Sequence, residues 1–305
     1  MNLSIIFLAS AVLQPTSVAQ IATPVSDPPA VCDSCDGWNQ SQTPFKLHGR
    51  SYYVGVRGLS AVLIQTSDGL ILLDGGLPQS APLIEANIRS LGFKVEDIKL
   101  IVNSHAHYDH AGGLARLQRD SGSQVAASPA GAKALRSGLP VPEDPQYNDG
   151  KDVGFPRVMR VKEIKDGETL RVGDTAITSH FTPGHTPGST TWTWASCASD
   201  GCLNMVYADS LTPVSSGPFR FLGDERHPDV SAAFRRSIDT VRELPCDIML
   251  STHPEASGLF ERLERRAASP APDPLIDRNA CRTLADKASR QLDERLETER
   301  SQKPR

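Results

Sequence analysis

Three histidines and one aspartate of the kind that bind metal ions stand close together in the sequence, at His105, His107, Asp109 and His110. They follow the mostly apolar run 98–102, which predicts a buried strand, and precede a helical pattern over 114–119. Because residues two apart in an extended chain point the same way, His105 and His107 can hold one ion. Imidazole and carboxylate ligands favour zinc over magnesium or calcium. The spacing therefore predicts a metal site where a strand turns into a helix.

Two more histidines stand at predicted strand ends followed by proline: His185, within the Pro- and Gly-rich segment 182–189, and His253, directly before Pro254. The other histidines lack this combination, and the strand pattern around His180 predicts a packed or surface side chain. We expect one zinc site with an open fourth position, as catalytic zinc requires, and a second site beside it. The first would comprise His105, His107 and His185, and the second Asp109, His110 and His253.

The bulk composition excludes some functions and leaves others open. The 305 residues could form one large or two ordinary domains, each with a substantial core. A net charge of -4 and a pI near 6.1 give no basic surface for nucleic acid. Beyond the N-terminal segment, no apolar run approaches the length of a membrane span. We therefore expect neither a nucleic-acid partner nor a membrane association of the mature chain.

The N-terminus has the pattern of an export signal. An apolar stretch over 3–13 precedes the sequence Ser-Val-Ala at 17–19, whose small residues are typical of a cleavage site. The stretch is too short to span a membrane, and six cysteines suit an oxidising compartment such as the periplasm. We expect a signal peptide over 1–19, an N-terminal extension over 20–45 and one catalytic domain over 46–300. A short anchor or a disordered tail is the alternative.

The order of predicted elements suggests two similar halves within one domain. Apolar and alternating runs predict strands over 52–73 and then an amphipathic helix through Ile84 and Ile88. After the histidine cluster the pattern recurs, with strands over 190–208 and a helix over 230–244.

Two further long segments are a loop and a C-terminal helix. The segment 138–156 contains four prolines and three glycines, so it predicts a long loop that is either functional or disordered. A helix over 284–296 closes the chain, and its charged residues indicate a solvent-facing side.

The six cysteines fall into three candidate pairs. A predicted hairpin would bring Cys197 and Cys202 together, and a bond from Cys246 to Cys281 would hold the C-terminal helix against the domain. The CxxC motif at 32–35 could be redox-active, structural or half of a zinc ribbon, although no second CxxC supports a ribbon.

Asp74 begins an Asp-Gly-Gly sequence at the end of a predicted strand. It is expected to form a turn, because glycines follow it. It is also a candidate to accept a hydrogen bond from a metal-binding histidine, which would fix the tautomer of that histidine. The two roles are compatible.

The spacing His-x-His-x-Asp-His in the cluster resembles the signature of the metallo-β-lactamase superfamily. The resemblance covers nearly all of the mature chain, through segments 62–76, 183–189, 207–211 and 244–254. Ser210 makes it more specific, because the first two subclasses have a cysteine ligand near that position. With His110 supplying the missing ligand, the chain resembles the third subclass of these class B enzymes.

This resemblance implies a fold, a cofactor and a reaction. The fold would be an α+β fold, an αββα four-layer sandwich, with two zinc ions (Zn2+) per chain at one edge between the sheets. A metal-bound hydroxide would attack the carbonyl carbon of penicillins, cephalosporins and carbapenems, which would confer resistance to these β-lactams. Asp109 and Ser210 would be catalytic, while Ser210 and Thr212 would bind the substrate carboxylate or an active-site water. Trp38 and the 138–156 loop would shape the cavity mouth of a monomer.

Asp209 separates this interpretation from its nearest rival, a glyoxalase II-like thioesterase or a lactonase with the same fold. Those enzymes have a metal-bridging aspartate near this position, and the sequence leaves open whether Asp209 bridges the ions or points away. The export signal and Ser210 favour β-lactams. A non-catalytic zinc-binding protein is a rival from another class, and its metals would have no open position. Arg57 stands where some similar enzymes have a cysteine, so Cys32 and Cys35 would pair with each other or stay reduced.

Overall fold

A computed structural model describes Met1 and residues 27–148, 154–199, 201–269 and 271–302. The predicted signal peptide over 1–19 lies outside the described residues, apart from Met1. Within these ranges the chain forms twelve strands in two sheets, together with eight α-helices.

The first sheet has seven strands that lie side by side in the order of the sequence, within the described ranges. Its first four strands are antiparallel, and the pairings from the fourth to the seventh are parallel. The strands are β1 (Phe45–His48), β2 (Ser51–Tyr53), β3 (Val62–Thr66), β4 (Gly69–Leu73), β5 (Ile98–Val102), β6 (Gln124–Ala127) and β7 (Val161–Glu163).

The second sheet, in the same part of the chain, has five strands. The first four pair antiparallel, and the last lies parallel to its neighbour at the far edge. They are β8 (Thr169–Val172), β9 (Thr175–Phe181), β10 (Thr190–Ala198), β11 (Gly201–Ala208) and β12 (Ile248–Ser251).

The helices differ widely in length, and the described residues contain no helix long and apolar enough to cross a membrane. They are α1 (Cys35–Trp38), α2 (Ala81–Ser90), α3 (Tyr108–Ala111), α4 (Leu114–Ser121), α5 (Pro129–Ser137), α6 (Ser231–Glu243), α7 (Leu259–Ala268) and α8 (Ala280–Ser301).

Alternation along the strands builds a four-layer αββα sandwich. In β4, Leu72 packs against α2, α4 and α5 on the outer face, while Ile71 and Leu73 face the second sheet. In β11, Tyr207 faces the first sheet and Val206 packs against α6 and α8. The chain thus has three hydrophobic cores: one between the first sheet and its helices, one between the two sheets, and one between the second sheet and its helices. Burying an aliphatic or aromatic side chain contributes about 1.5–3 kcal/mol, so these cores stabilise the layers strongly. The predicted α+β sandwich is confirmed.

The two halves of the chain share one topology, as the sequence predicted. Four antiparallel strands, a crossover helix and a parallel fifth strand occur as β1–β4, α2 and β5, and again as β8–β11, α6 and β12. Corresponding strands end at polar residues. Asp74 follows the fourth strand of the first half and Asp209 that of the second, while His253 follows the fifth strand of the second half. The halves therefore direct their functional residues to the same edge.

Three disulfides are present among the described residues. The predicted bonds Cys197–Cys202 and Cys246–Cys281 are confirmed. Cys32 also bonds to Cys35, which resolves the alternative that the sequence left open. The bond between Cys246 and Cys281 attaches the start of α8 to the chain just before β12, so the C-terminal helix is anchored covalently.

Some boundaries and elements differ from the sequence-based expectations. Strands β5 and β6 match them, whereas α7 was not predicted. Its apolar residues Leu259, Phe260 and Leu263 lie at helical spacing, and Leu259 alone is buried. The segments 138–148 and 154–156 contain no helix or strand, in agreement with the predicted loop.

Candidate metal centre

The predicted ligands meet where strands of both sheets end. His105 and His107 both follow the end of β5, and His107 itself has an extended backbone with φ -91° and ψ 157°. The short helix α3 then carries Asp109 and His110 in one turn. The turn 74–76 supports this helix, because Gly75 N donates to His110 O at 2.9 Å.

The second sheet contributes the remaining two histidines. His185 lies in the loop between β9 and β10, where the Ser189 side chain accepts a hydrogen bond from Thr186 N at 3.1 Å. His253 follows β12, and a 3-10 turn begins at Pro254. Both loops are therefore braced locally, which limits the orientations of the two imidazoles.

The first predicted ligand group is assembled in the structure. His105, His107 and His185 are buried, and each offers one ligand atom within 4.8 Å of the others. The ring centroids of His105 and His107 are 4.8 Å apart, as are those of His105 and His185. Imidazoles packed this closely repel one another if all are protonated to the positively charged form, so the arrangement favours neutral rings that share a bound cation.

The second predicted group forms a tight triangle of donor atoms. Asp109 Oδ2 lies 3.2 Å from His110 Nε2 and 3.4 Å from His253 Nε2, and the two nitrogens are 3.2 Å apart. Ligands at zinc distances in a tetrahedral site are separated by about 3.3–3.6 Å. The spacing of these three atoms therefore fits a zinc ion.

In two histidines of the first group, the ring nitrogen that does not face the metal site is hydrogen-bonded to a carboxylate. His105 Nδ1 donates to Asp209 Oδ1 at 2.7 Å, and His107 Nε2 donates to Asp144 Oδ2 at 3.1 Å. Such bonds fix the tautomer and raise the basicity of a ligand histidine. His105 thus presents Nε2 to a metal, whereas His107 presents Nδ1.

Backbone carbonyls hold two other histidines. His185 Nδ1 donates to Thr212 O at 3.0 Å, and His253 Nδ1 donates to Gly58 O at 3.2 Å. In both rings Nε2 is the remaining nitrogen. Gly58 belongs to the N-terminal part of the chain, and Trp38 from the same part packs on the imidazole of His253, with 5.2 Å between the ring centroids.

Burial keeps part of the site in its metal-binding protonation state. Burial lowers the pKa of His185 to about 3, with the charge of His105 adding to the effect. Burial also holds the pKa of His105 well below its usual range. Burial acts to raise the pKa of Asp109, but the charge and hydrogen bond of His110 outweigh it and keep that pKa well below normal. Neutral imidazole and ionised carboxylate are the forms that bind metal.

Unpaired polar atoms at the site support a metal-binding role. His105 Nε2 and Asp209 Oδ2 are buried and make no hydrogen bond within the described residues. An unpaired buried polar atom costs about 1–3 kcal/mol, which a bound ion would offset. Two donor groups, one of three nitrogens and one of two nitrogens and an oxygen, suit zinc chemically. The residues present therefore fit a zinc centre.

The role expected for Asp74 toward a ligand histidine is wrong in detail. Its Oδ1 accepts hydrogen bonds from Ser104 N at 2.7 Å and Asn103 Nδ2 at 3.0 Å, and its Oδ2 accepts from Tyr207 Oη at 2.9 Å. Asp74 thus fixes the backbone just before the cluster. It adopts a left-handed conformation with φ 59°, which an Asp-Gly-Gly turn tolerates. The position behind a ligand is taken by Asp209.

Ser210 and Thr212 both line the cavity beside the cluster, and both are already engaged. Ser210 Oγ lies 2.8 Å from Thr252 Oγ1. Thr212 Oγ1 lies 3.1 Å from His185 Nδ1, so this hydroxyl sits behind a ligand histidine as well as at the cavity.

A cavity of about 750 Å3 opens over the cluster. Trp38 and residues of the 138–148 loop line it, in line with the expected role of both. No pattern in the sequence indicates Asp144, because nothing in its loop is periodic. The sequence-based prediction also missed Lys287 and Gln291 of α8, although these follow Leu284 at helical spacing on one face.

The other histidines lie apart from the metal centre. His180 Nε2 lies 2.8 Å from Thr193 Oγ1 across two strands, and His227 lies beside Asp224 at 3.2 Å. The expectation of a packed or surface role for His180 is met.

Comparisons with known proteins agree with this geometry. A family model described as the metallo-beta-lactamase superfamily matches residues 54–253. The solved Rm3 metallo-beta-lactamase is 49% identical, with a TM-score of 0.85, over 89% of this chain and 100% of that chain. MEM-A1, a subclass B3 metallo-beta-lactamase isolated from a soil metagenome library, is 48% identical, with a TM-score of 0.83, over 87% and 100%.

Curated relatives are more distant. An N-acyl homoserine lactonase of Bacillus cereus is 34% identical over 17% of this chain and 30% of that protein. A hydroxyacylglutathione hydrolase of Gloeobacter violaceus is 27% identical over 55% of this chain and 52% of that protein. The chain thus spans about half or less of the length of these curated relatives.

Proposed function

The chain belongs to the metallo-β-lactamase superfamily, among the subclass B3 enzymes, and on this premise we propose that it hydrolyses β-lactams with two zinc ions. The substrates would be penicillins, cephalosporins and carbapenems. The observation that carries the proposal is the pair of three-ligand groups at one cavity, since His107, Asp109, His185 and His253 all line it.

The protein residues would bind the zinc ions and orient the substrate, while the ions would activate water and the substrate carbonyl. Zinc ions held by these ligands would lower the pKa of water to about 7 and polarise the substrate carbonyl. Asp209 keeps the imidazole of His105 in a fixed orientation, which preserves the geometry during turnover. No protein nucleophile and no acyl-enzyme would be required.

Ser210 and Thr212 are the proposed contacts for the substrate carboxylate. Both line the cavity, and each hydroxyl can turn from its present partner toward a ligand. Asp109 and Ser210 remain the residues to which we assign catalytic roles, the first as a ligand and the second through substrate or water. The indole of Trp38 gives the cavity an apolar wall beside His253.

The proposed location is the periplasm, reached through a signal peptide over 1–19. The three disulfides suit an oxidising compartment. N-terminal sequencing of the mature protein from the periplasmic fraction tests the division into a signal, an extension over 20–45 and a domain over 46–300. A single intact chain beginning at Met1 would contradict it. The monomeric state stays a prediction.

Zinc content and turnover, measured on one preparation, test the proposed function. Two zinc ions per chain, and hydrolysis of a carbapenem and a chromogenic cephalosporin that a chelator abolishes and zinc restores, would support it. The His180→Ala variant should behave like the wild type, because His180 bonds to Thr193 instead of the centre. Two zinc ions without hydrolysis of either substrate would refute the substrate assignment alone.

A second candidate is hydrolysis of a thioester or a lactone. The names of the curated relatives favour it, and Asp209, which stands near the position of the metal-bridging aspartate in such enzymes, lines the cavity. Rates on a glutathione thioester and an acyl lactone, measured beside the β-lactams, separate the candidates. Faster turnover of either compound than of every β-lactam would favour the second.

A further inference from the structure

We propose that Asp144 is a positioning residue for the first metal site, because its carboxylate fixes His107 for zinc binding. Asp144 belongs to the loop between α5 and β7, and its side chain is only 4% exposed. Its two oxygens lie 3.1 and 3.3 Å from His107 Nε2. With Nε2 donating to this carboxylate, Nδ1 is the only nitrogen of His107 left for a metal. The inference rests on the zinc centre of the proposed function.

The loop holds Asp144 in place before any ion binds. Asp144 Oδ1 accepts from Gln146 N at 2.8 Å, and Asp144 N donates to Val141 O at 2.9 Å. The next residue, Pro145, accepts a hydrogen bond from Ser216 N at 2.9 Å, which joins the loop to the far side of the cavity. Burying a carboxylate is costly, and the hydrogen bonds from Gln146 N and His107 Nε2 offset that cost.

The two metal sites differ in the groups that accept hydrogen bonds from the ring nitrogens of their histidines that do not face the metal. In the first site, carboxylates back two ligands, through Asp209 and Asp144. In the second site, the carbonyl of Gly58 backs His253, and His110 Nδ1 is buried without a partner among the described residues. Since carboxylate partners raise the affinity of a ligand histidine, we infer that the first site binds zinc more tightly and fills first.

The Asp144→Asn variant tests this role in a protein that retains only the first site. In the His110→Ala background, Asp144→Asn should weaken zinc binding about 10–100-fold, measured by competition with a chromogenic chelator. The reason is that the Asn amide can keep the bond to Gln146 N through Oδ1 but would donate to His107 Nε2. That favours the tautomer with a proton on Nδ1, which cannot bind zinc. An unchanged affinity would overturn the proposal.

Two matched controls separate positioning from general damage. Glu143→Gln removes an exposed carboxylate from the same loop, and Asp224→Asn removes the partner of His227, which is not a ligand. Both should leave zinc affinity unchanged. Because turnover is not the readout, failure of the β-lactamase assignment would not affect this result. Equal losses of zinc affinity in Glu143→Gln and Asp144→Asn would refute a specific role for Asp144.

A measurement on the wild-type protein keeps the proposal testable if Asp144→Asn does not fold. Nitrogen NMR of the zinc-loaded enzyme should show His107 protonated at Nε2 with its metal on Nδ1, and His105 with its metal on Nε2. Stepwise addition of zinc should shift His107 and His185 before His253. A metal on His107 Nε2, or His253 responding first, would contradict the proposal.

Discussion

His105 and Asp209 form the shortest of the hydrogen bonds behind the ligand histidines, with 2.7 Å between Nδ1 and Oδ1. Both side chains are fully buried, and they come from opposite halves of the domain. The bond joins the end of β5 to the end of β11, so the metal centre depends on the packing of the two sheets.

Replacing Asp209 by Asn should therefore impair the centre without removing a ligand. An amide that donates to Nδ1 favours the tautomer of His105 with a proton on Nε2, the atom needed for the metal. Zinc affinity and kcat/KM should fall by about 10–100-fold. The exposed Asp174, paired with Arg50 on the surface, offers a control, and Asp174→Asn should leave both quantities unchanged. Wild-type zinc affinity in Asp209→Asn would contradict this role.

Removing His110 should empty the second site alone. In His110→Ala the second ligand group retains only Asp109 and His253, so zinc content should fall from two ions to one. Turnover should fall by about 10-fold or more, since the ion activates the nucleophile. Metal analysis after dialysis measures the content. Two tightly bound ions in His110→Ala would exclude His110 as a ligand.

Lys287 should attract the carboxylate of the proposed substrate. It is the only lysine or arginine among the described residues that line the cavity, and it forms no ion pair within that part of the chain. An exposed ion pair contributes about 0.2–1 kcal/mol, so Lys287→Gln should raise KM up to about 5-fold with little change in kcat. Lys287→Arg should retain KM.

Arg290→Gln provides the matched control for Lys287, because Arg290 lies on the same helix but does not line the cavity. The increase in KM from Lys287→Gln should also shrink at high salt, which screens exposed charges. The same increase in Arg290→Gln would show that net charge, and not a local contact, is responsible.

The bond between Cys246 and Cys281 should stabilise the protein more than the bond in the hairpin. It closes a loop with a sequence separation of 35, against 5 for Cys197–Cys202. Loop-closure entropy then predicts a loss of about 2–4 kcal/mol in unfolding free energy for Cys246→Ser with Cys281→Ser. The hairpin pair replaced by serines should lose about 1–2 kcal/mol less. Equilibrium denaturation of both variants decides, and equal losses would contradict the entropic argument.

The sequence by itself determined the chemistry of the centre and the class of fold. Residue types and spacing at His105, His107, Asp109 and His110 are local properties, so one stretch was enough to predict a metal site. Strand periodicity and the repeated order of elements likewise indicated two similar halves of one domain, and the family resemblance implied the sandwich. Proline and glycine around His185 marked a second contribution to the site.

Only the tertiary structure decided which groups stand behind the ligands. Asp209 is 104 residues from His105, and Asp144 is 37 residues from His107 in an aperiodic loop, so no local pattern relates them. Asp74 had the residue type expected of a histidine partner, but its turn directs it to the backbone before the cluster. Hydrogen-bond partners of buried groups are set by how sheets and loops pack, and that packing depends on contacts distant in sequence.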